Sequence, residues 1–190
     1  TNTDLNNEIY QLQSPAIMQE VVKRLNLQQH YDVQGMFHAE TLYGSNLPIR
    51  VDMPDVTDGD ITCFFIDIDK QRHLRLFNFT RNNTEYSDVV VEGEMGDTLT
   101  TPLGRVYVVP TRFYYTPDRS IEVHHDLLQS TLNAYQEKLT VTTARDNSTI
   151  INLTLIDLQP QRAEEVLTTI IAIYKENWIR DRNQVAVSTN

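Results

Sequence analysis

From Pro160 to about Ser188 the chain carries no glycine and no further proline, while Ala163, Val166, Leu167, Ile170, Ile171, Tyr174 and Trp178 recur at helical spacing. Proline at a first helical position lacks only a hydrogen bond that a helix start could not make. The spacing therefore predicts one unbroken helix over 160–188, roughly 40 Å long at 1.5 Å per residue. Its apolar stripe is dense only as far as Trp178. Beyond it Arg180-Asp-Arg-Asn-Gln184 is almost wholly polar, so the far end has little to bury and is expected to project as a stalk.

The first thirty residues read as two short helices. Leu5, Ile9 and Leu12 share one helical face; then Ser14-Pro15 supplies an N-cap and a first-turn proline ahead of Ile17, Val21, Val22 and Leu25. From Ile49 to Val109 the period becomes strand-like. Thr62-Cys-Phe-Phe-Ile-Asp-Ile68 and Leu74-Leu76-Phe77-Phe79 flank a polar Asp69–Arg72 turn, which reads as a hairpin. Asp88–Gly93 and Arg105–Val109 continue it as an antiparallel meander. Later, Ser120–Val123 reads as a strand and Asp126 as the cap of a helix through Leu127, Leu128, Leu132 and Tyr135. Leu139–Thr143 and Ile150–Leu155 read as two strands across an Arg145-Asp-Asn147 turn. The expected fold is a single α+β domain over 1–190, a mixed or antiparallel sheet flanked by N-terminal helices and the long C-terminal helix.

At 190 residues and 40% hydrophobic content the chain can bury one sizeable core. Its 16 basic and 26 acidic residues leave a net charge of −10, and no basic run offers a face for nucleic-acid phosphates. The lone cysteine, Cys63, excludes an internal disulfide and a cysteine-based zinc knuckle. No stretch reaches the ~18–20 consecutive apolar residues that cross a bilayer. With no initiator Met and a last segment that reads as helix, the sequence is expected to be a piece of a longer protein.

Motifs for turnover are missing where they would be read. The six glycines are nowhere followed by the Gly-Lys-Ser/Thr of a phosphate loop. His124-His125-Asp126 has metal-ligand chemistry, but neighbours on a strand point to opposite faces, so it reads as a strand-to-helix junction. Asp55, Asp58 and Asp60 around Gly59 lack the spacing of a calcium loop and read as a solvated turn. Asp67 and Asp69 share a strand face and read as its polar side rather than as paired catalytic carboxylates. Cys63 between aromatic neighbours reads as a small core residue, and His30, His38 and His73 show no partner in sequence. No catalytic, cofactor or metal residue is assigned. Phe113-Tyr114-Tyr115 could stack a sugar ring, and the sequons at Asn78, Asn82, Asn147 and Asn152 are weak patterns.

The order of Glu8-Ile-Tyr-Gln-Leu-Gln-Ser-Pro15, Val21-Val-Lys-Arg-Leu-Asn-Leu27, Thr101-Pro-Leu-Gly104, Ile150-Ile-Asn-Leu-Thr-Leu155 and Pro160-Gln-Arg-Ala163 resembles the extracytoplasmic domain of chain-length determinant proteins. It looks most like the bacterial tyrosine autokinase branch found in Bacteroides-type capsule and exopolysaccharide systems. The resemblance runs over nearly the whole chain, although Thr168 and Thr169 stand where Leu-Asn is common in the family.

That resemblance implies a periplasmic domain held between two inner-membrane helices, with a cytoplasmic kinase domain further on that alone would bind ATP and Mg²⁺. It implies self-association, and contact with polysaccharide polymerase and export machinery, as the means of setting glycan length. Tyr174, Trp178, Arg180 and Arg182 are the interface candidates. The alternative is a glycan-binding module contacting the nascent polysaccharide through Phe113, Tyr114 and Tyr115. A weaker third reading, a hydrolase, would need converging carboxylates or a Cys/His pair.

Overall fold

A computed structural model describes residues 2–145 and 149–189; the expected turn at Asp146-Asn147, with its sequon, lies outside them. Two helices come first, α1 (Asn2–Leu12) and α2 (Pro15–Arg24). Ser14 Oγ accepts the Ile17 N–H at 3.2 Å and Pro15 fills the first turn, so α2 starts where its capping chemistry predicts. Nine strands follow: β1 (Gln29–Gln34), β2 (Ala39–Leu42), β3 (Ile49–Asp52), β4 (Thr62–Ile68), β5 (His73–Arg81), β6 (Thr84–Tyr86), β7 (Val91–Glu94), β8 (Leu99–Thr101) and β9 (Gly104–Pro110). The chain closes with β10 (Ile121–His125), α3 (Leu128–Lys138), β11 (Leu139–Thr143), β12 (Ile151–Leu155) and α4 (Pro160–Ser188). The long helix has the bounds expected of it, and every strand pair is antiparallel.

Where the sequence reads as one domain, contacts divide the chain into two compact units, Thr1–Leu27 with Gln129–Asn190, and Gln28–Leu128. In the first, α2 turns Ile17, Met18, Val21 and Val22 inward, and α4 does the same with Val166, Ile170 and Ile173. Arg24 ties these two helices by donating to both Glu176 oxygens, at 3.0 and 2.6 Å. The start of α4 is anchored by Asp157, whose side chain is fully buried. It accepts the Gln159 N–H at 3.0 Å and both Nε and Nη2 of Arg162 at 2.7 Å.

The second unit is built mainly of strands. A seven-stranded sheet runs β2-β1-β10-β4-β5-β6, with β7 also on β5, and a smaller sheet runs β3-β9-β8. Both put alternate side chains into a common core: Phe64, Ile66, Leu74, Leu76, Phe79, Ile121 and Val123 from one, and Ile49, Val51, Val106 and Val108 from the other. In β4 the alternation is complete, with Thr62, Phe64, Ile66 and Ile68 buried and Cys63, Phe65 and Asp67 half-buried on the opposite face. Strict alternation would turn Phe79 outward with Phe77. A bulge facing Phe64, with Asn78 at φ 54°, resets the phase so that Leu76 and Phe79 both reach the core. The β4–β5 hairpin forms as expected. Asp69 Oδ1 accepts the N–H groups of Gln71 and His73, and Arg72 takes φ 64°.

Several expectations are corrected, Cys63 among them, which is half-buried on the outer face of β4 and not in the core. Ile49–Val109 is not one meander, because β3 and β9 pair with each other in the smaller sheet instead of continuing the order of β4, β5 and β7. Asp126 does not cap α3; the Leu128 N–H bonds the Asp58 carbonyl at 3.1 Å and the Asp126 carboxylate turns to His30.

Asp60 is buried rather than solvated. It accepts the Thr57 N–H and hydroxyl, Asn82 Nδ2 and Arg81 Nη2. The Thr57 backbone bond leads; together these bonds outweigh burial and push its carboxyl from 3.8 down to about 2. A depressed carboxylate stabilises the fold above its unfolded value, and that contribution disappears as pH falls through the folded one. Unfolding stability should therefore drop between about pH 4 and pH 2, and Asp60→Asn should cost about 2 kcal/mol at neutral pH while flattening that acid limb. Urea titrations across the pH range measure both.

Candidate functional site

The face of the seven-stranded sheet opposite the core carries most of the second unit's chemistry. The alternation that sends Tyr31 and Val33 inward from β1 sends His30 and Asp32 outward. On β10, Ile121 and Val123 go in, and Glu122 and His124 come out. The register sets His30 opposite His124, Asp32 opposite Glu122, and His124 opposite Cys63 of β4. The two imidazoles stack with centroids 4.8 Å apart at 11°.

Each ring is held by carboxylates. His30 Nδ1 lies 3.2 Å from Asp32 Oδ2 and its Nε2 lies 2.9 Å from Asp126 Oδ2. Both nitrogens can donate only if the ring is an imidazolium. Burial opposes that charge, but the bonds to Asp126 and Asp32 prevail and push His30 up to about 9. His124 Nε2 lies 3.0 Å from Glu122 Oε2 and 3.7 Å from Asp32 Oδ2. The Cys63 sulfur beside it is the main cause of its raised pKa; burial opposes this and Glu122 adds to it. Thr41 on β2 donates to Asp32 Oδ1 at 3.0 Å.

Four strands and the chain just after β10 therefore bring Thr41, His30, Asp32, Glu122, His124, Cys63 and Asp126 together. Carboxylates and histidines gather here beside Cys63, and His30 is not without partners. Chemically the arrangement can hold a proton between imidazole and carboxylate, or hold a cation. Glu122 also lines an adjoining open groove of about 740 Å³ with Phe65, Asp67, Phe77, Arg119 and Ser120.

The sequence signal for this cluster is two short polar alternations, His30/Asp32 and Glu122/His124, and it becomes a site only through strand register. His124 and His125 do point to opposite faces. His125 is buried, with Nδ1 bonded to the Asp60 carbonyl at 2.9 Å. His73 faces Glu94 at 3.1 Å. Asp55 holds Arg105 through Oδ1 and Oδ2 at 2.9 and 3.1 Å.

The other candidates lie elsewhere. Tyr174 is half-buried, and burial together with the Glu8 carboxylate of α1 pushes its phenol up. Trp178 is 49% exposed under the Arg182 guanidinium at 4.6 Å, and Arg180 donates to Asn177 at 2.8 Å. From Trp178 to Thr189 every side chain is exposed, Ile179, Val185 and Val187 among them. Phe113, Tyr114 and Tyr115 lie in the loop after β9 and form no common platform. Arg112 covers Phe113, Tyr114 packs on the core beneath Arg72, and the Tyr115 hydroxyl donates to the Asn46 carbonyl at 2.9 Å.

No family model matches this chain, and no curated protein matches it either. The class that stands is the one the geometry defines, an α+β protein with antiparallel sheets and a long C-terminal helix.

Proposed function

We propose that this chain is the periplasmic oligomerisation and regulatory domain of an inner-membrane polysaccharide co-polymerase of the tyrosine autokinase type, controlling the length and export of a capsular or exopolysaccharide. The observation that carries the reading is the division of labour along α4. Its first half packs on the helical unit through Val166, Ile170 and Ile173, while every residue from Trp178 to Thr189 is exposed. A continuous helix exposing Trp178, Ile179, Val185 and Val187 among arginines suits contact with copies of itself near a membrane.

Among the described residues no helix is long and apolar enough to cross a bilayer, so this reading places the anchors outside them. It places turnover outside them too, in a kinase domain that would use ATP and Mg²⁺. Polymerase and export proteins are its other partners. Tethering in the membrane supplies effective concentration, so weak contacts between copies suffice.

The test uses the full-length protein in its native membrane. A bismaleimide cross-link from a cysteine at position 186, in a Cys63→Ser background, is expected to join copies. Trp178→Ala with Arg182→Glu should reduce that yield roughly tenfold and shift the modal length of the surface glycan. A monomeric protein in the membrane, with glycan length unmoved by the double substitution, overturns the reading.

A further inference from the structure

We propose that Asp32, Glu122 and His124 form a binding site for a divalent first-row transition-metal ion of the Zn²⁺ class on the outer face of the seven-stranded sheet. Three donor atoms converge there. Glu122 Oε2 and His124 Nε2 are 3.0 Å apart, Asp32 Oδ2 and His124 Nε2 are 3.7 Å apart, and one ligand atom from each of the three residues lies within 4.8 Å of the others. Ligands that each sit about 2.1 Å from one ion are separated by roughly 3 to 4.2 Å, so both His124 pairs already fall in that range and the remaining pair needs to close by about 0.6 Å at most to enter it.

The donors come from two directly paired strands rather than from a loop. Asp32 and Glu122 are register partners and His124 is two residues along the same strand, so the sheet itself fixes their spacing. The residues are partly shielded, with side-chain exposures of 16% for Asp32 and 27% for both Glu122 and His124. Bulk water therefore competes less well for the site than at an open surface.

The groups behind the three donors are placed as supports of a metal centre are. Asp32 is oriented from both sides, by Thr41 on Oδ1 and by His30 Nδ1 on Oδ2. His30 is itself fixed by Asp126, and its ring lies flat against that of His124. Such outer bonds hold the tautomer and aim of ligands and are felt in affinity. One imidazole nitrogen with two carboxylates suits Zn²⁺, Mn²⁺ or Co²⁺. It suits Mg²⁺ and Ca²⁺ poorly, since both prefer all-oxygen shells. With three protein ligands on an accessible sheet face, further coordination positions stay open to water or an anionic group.

Isothermal titration of the chelator-treated 190-residue chain with Zn²⁺ at neutral pH tests the assignment. One ion per chain should bind with a Kd in the micromolar range, and excess Mg²⁺ should not displace it. His124→Ala, and the near-isosteric Glu122→Gln and Asp32→Asn, should each weaken binding about tenfold or more with an unchanged circular dichroism spectrum. His73→Ala, which removes a histidine–carboxylate contact outside the cluster, should bind as the parent does. Absence of saturable Zn²⁺ uptake overturns the proposal. So does wild-type affinity in both His124→Ala and Glu122→Gln, equal loss in His73→Ala, or displacement by Mg²⁺.

Discussion

Phe64→Ala should destabilise the strand unit by about 3–5 kcal/mol, the range for deleting a fully buried aromatic. Phe64 is completely buried, its ring 5.6 Å from that of Phe79 at 13° and its backbone partnered with Val123 of β10. It also stands at the bulge that turns Phe79 inward. Strands are hydrogen-bonded on both of its sides, so the walls of the resulting cavity cannot close and most of the lost contact is not recovered. Phe65→Ala is the matched control. Its ring stacks on Phe77 at 5.5 Å on the outer face and is half-buried, so a loss of about 1 kcal/mol is expected. Urea unfolding followed by circular dichroism separates the two. Equal losses would mean that the outer face is packed as tightly as the core.

Arg162→Ala should cost about 3 kcal/mol in the helical unit. Asp157 is buried with a carboxylate held ionised: burial pushes its pKa up, but the Arg162 and Gln159 bonds outweigh that and bring it below the ordinary value. Removing the guanidinium strands a buried charge with a single backbone donor, which is far more costly than losing an exposed pair. The Arg105–Asp55 pair supplies the comparison. It has similar fork geometry but stands in solvent, with side chains 53% and 37% exposed, so Arg105→Ala should cost far less than Arg162→Ala. Thermal melts of both variants measure the difference. Similar losses would show that desolvation is not what makes the Asp157 pair matter.

Local chemistry is what made parts of this molecule readable from its residues. Pro160 and the apolar stripe to Trp178 define α4, Ser14-Pro15 defines α2, and Asp69–Arg72 between alternating runs defines the β4–β5 hairpin, because each signal lies within a few residues of its effect. Strands β1 and β2 escape that reading. Gln29–Gln34 offers only Tyr31 and Val33 as apolar positions, too few for a periodic run, and its strand exists because β10 pairs with it.

The same reason hides the ionisable cluster. His30 finds Asp126 across nearly the whole strand unit, and no spacing rule in sequence reaches that far. Asp126 precedes an apolar helical run and so reads as a cap, but it bonds the half-buried His30 imidazole, and the Leu128 N–H is served by the Asp58 carbonyl. The aromatic trio was legible as composition only. Arg72, Arg112 and Asn46, each set by the folded loop, decide which way its three members turn.

Gln28 and Asp126 are joined twice, the Asp126 N–H donating to the Gln28 carbonyl at 2.8 Å and the Gln28 amide to the Asp126 carbonyl at 3.1 Å. The strand unit therefore begins and finishes at one point, like a loop knotted at its neck. To the helices on either side, residues 28–128 amount to a short connection, and the entropy of closing so long an excursion is met within the excursion itself. A module bounded this way can lengthen, shrink or be exchanged over evolution while its entry and exit stay side by side.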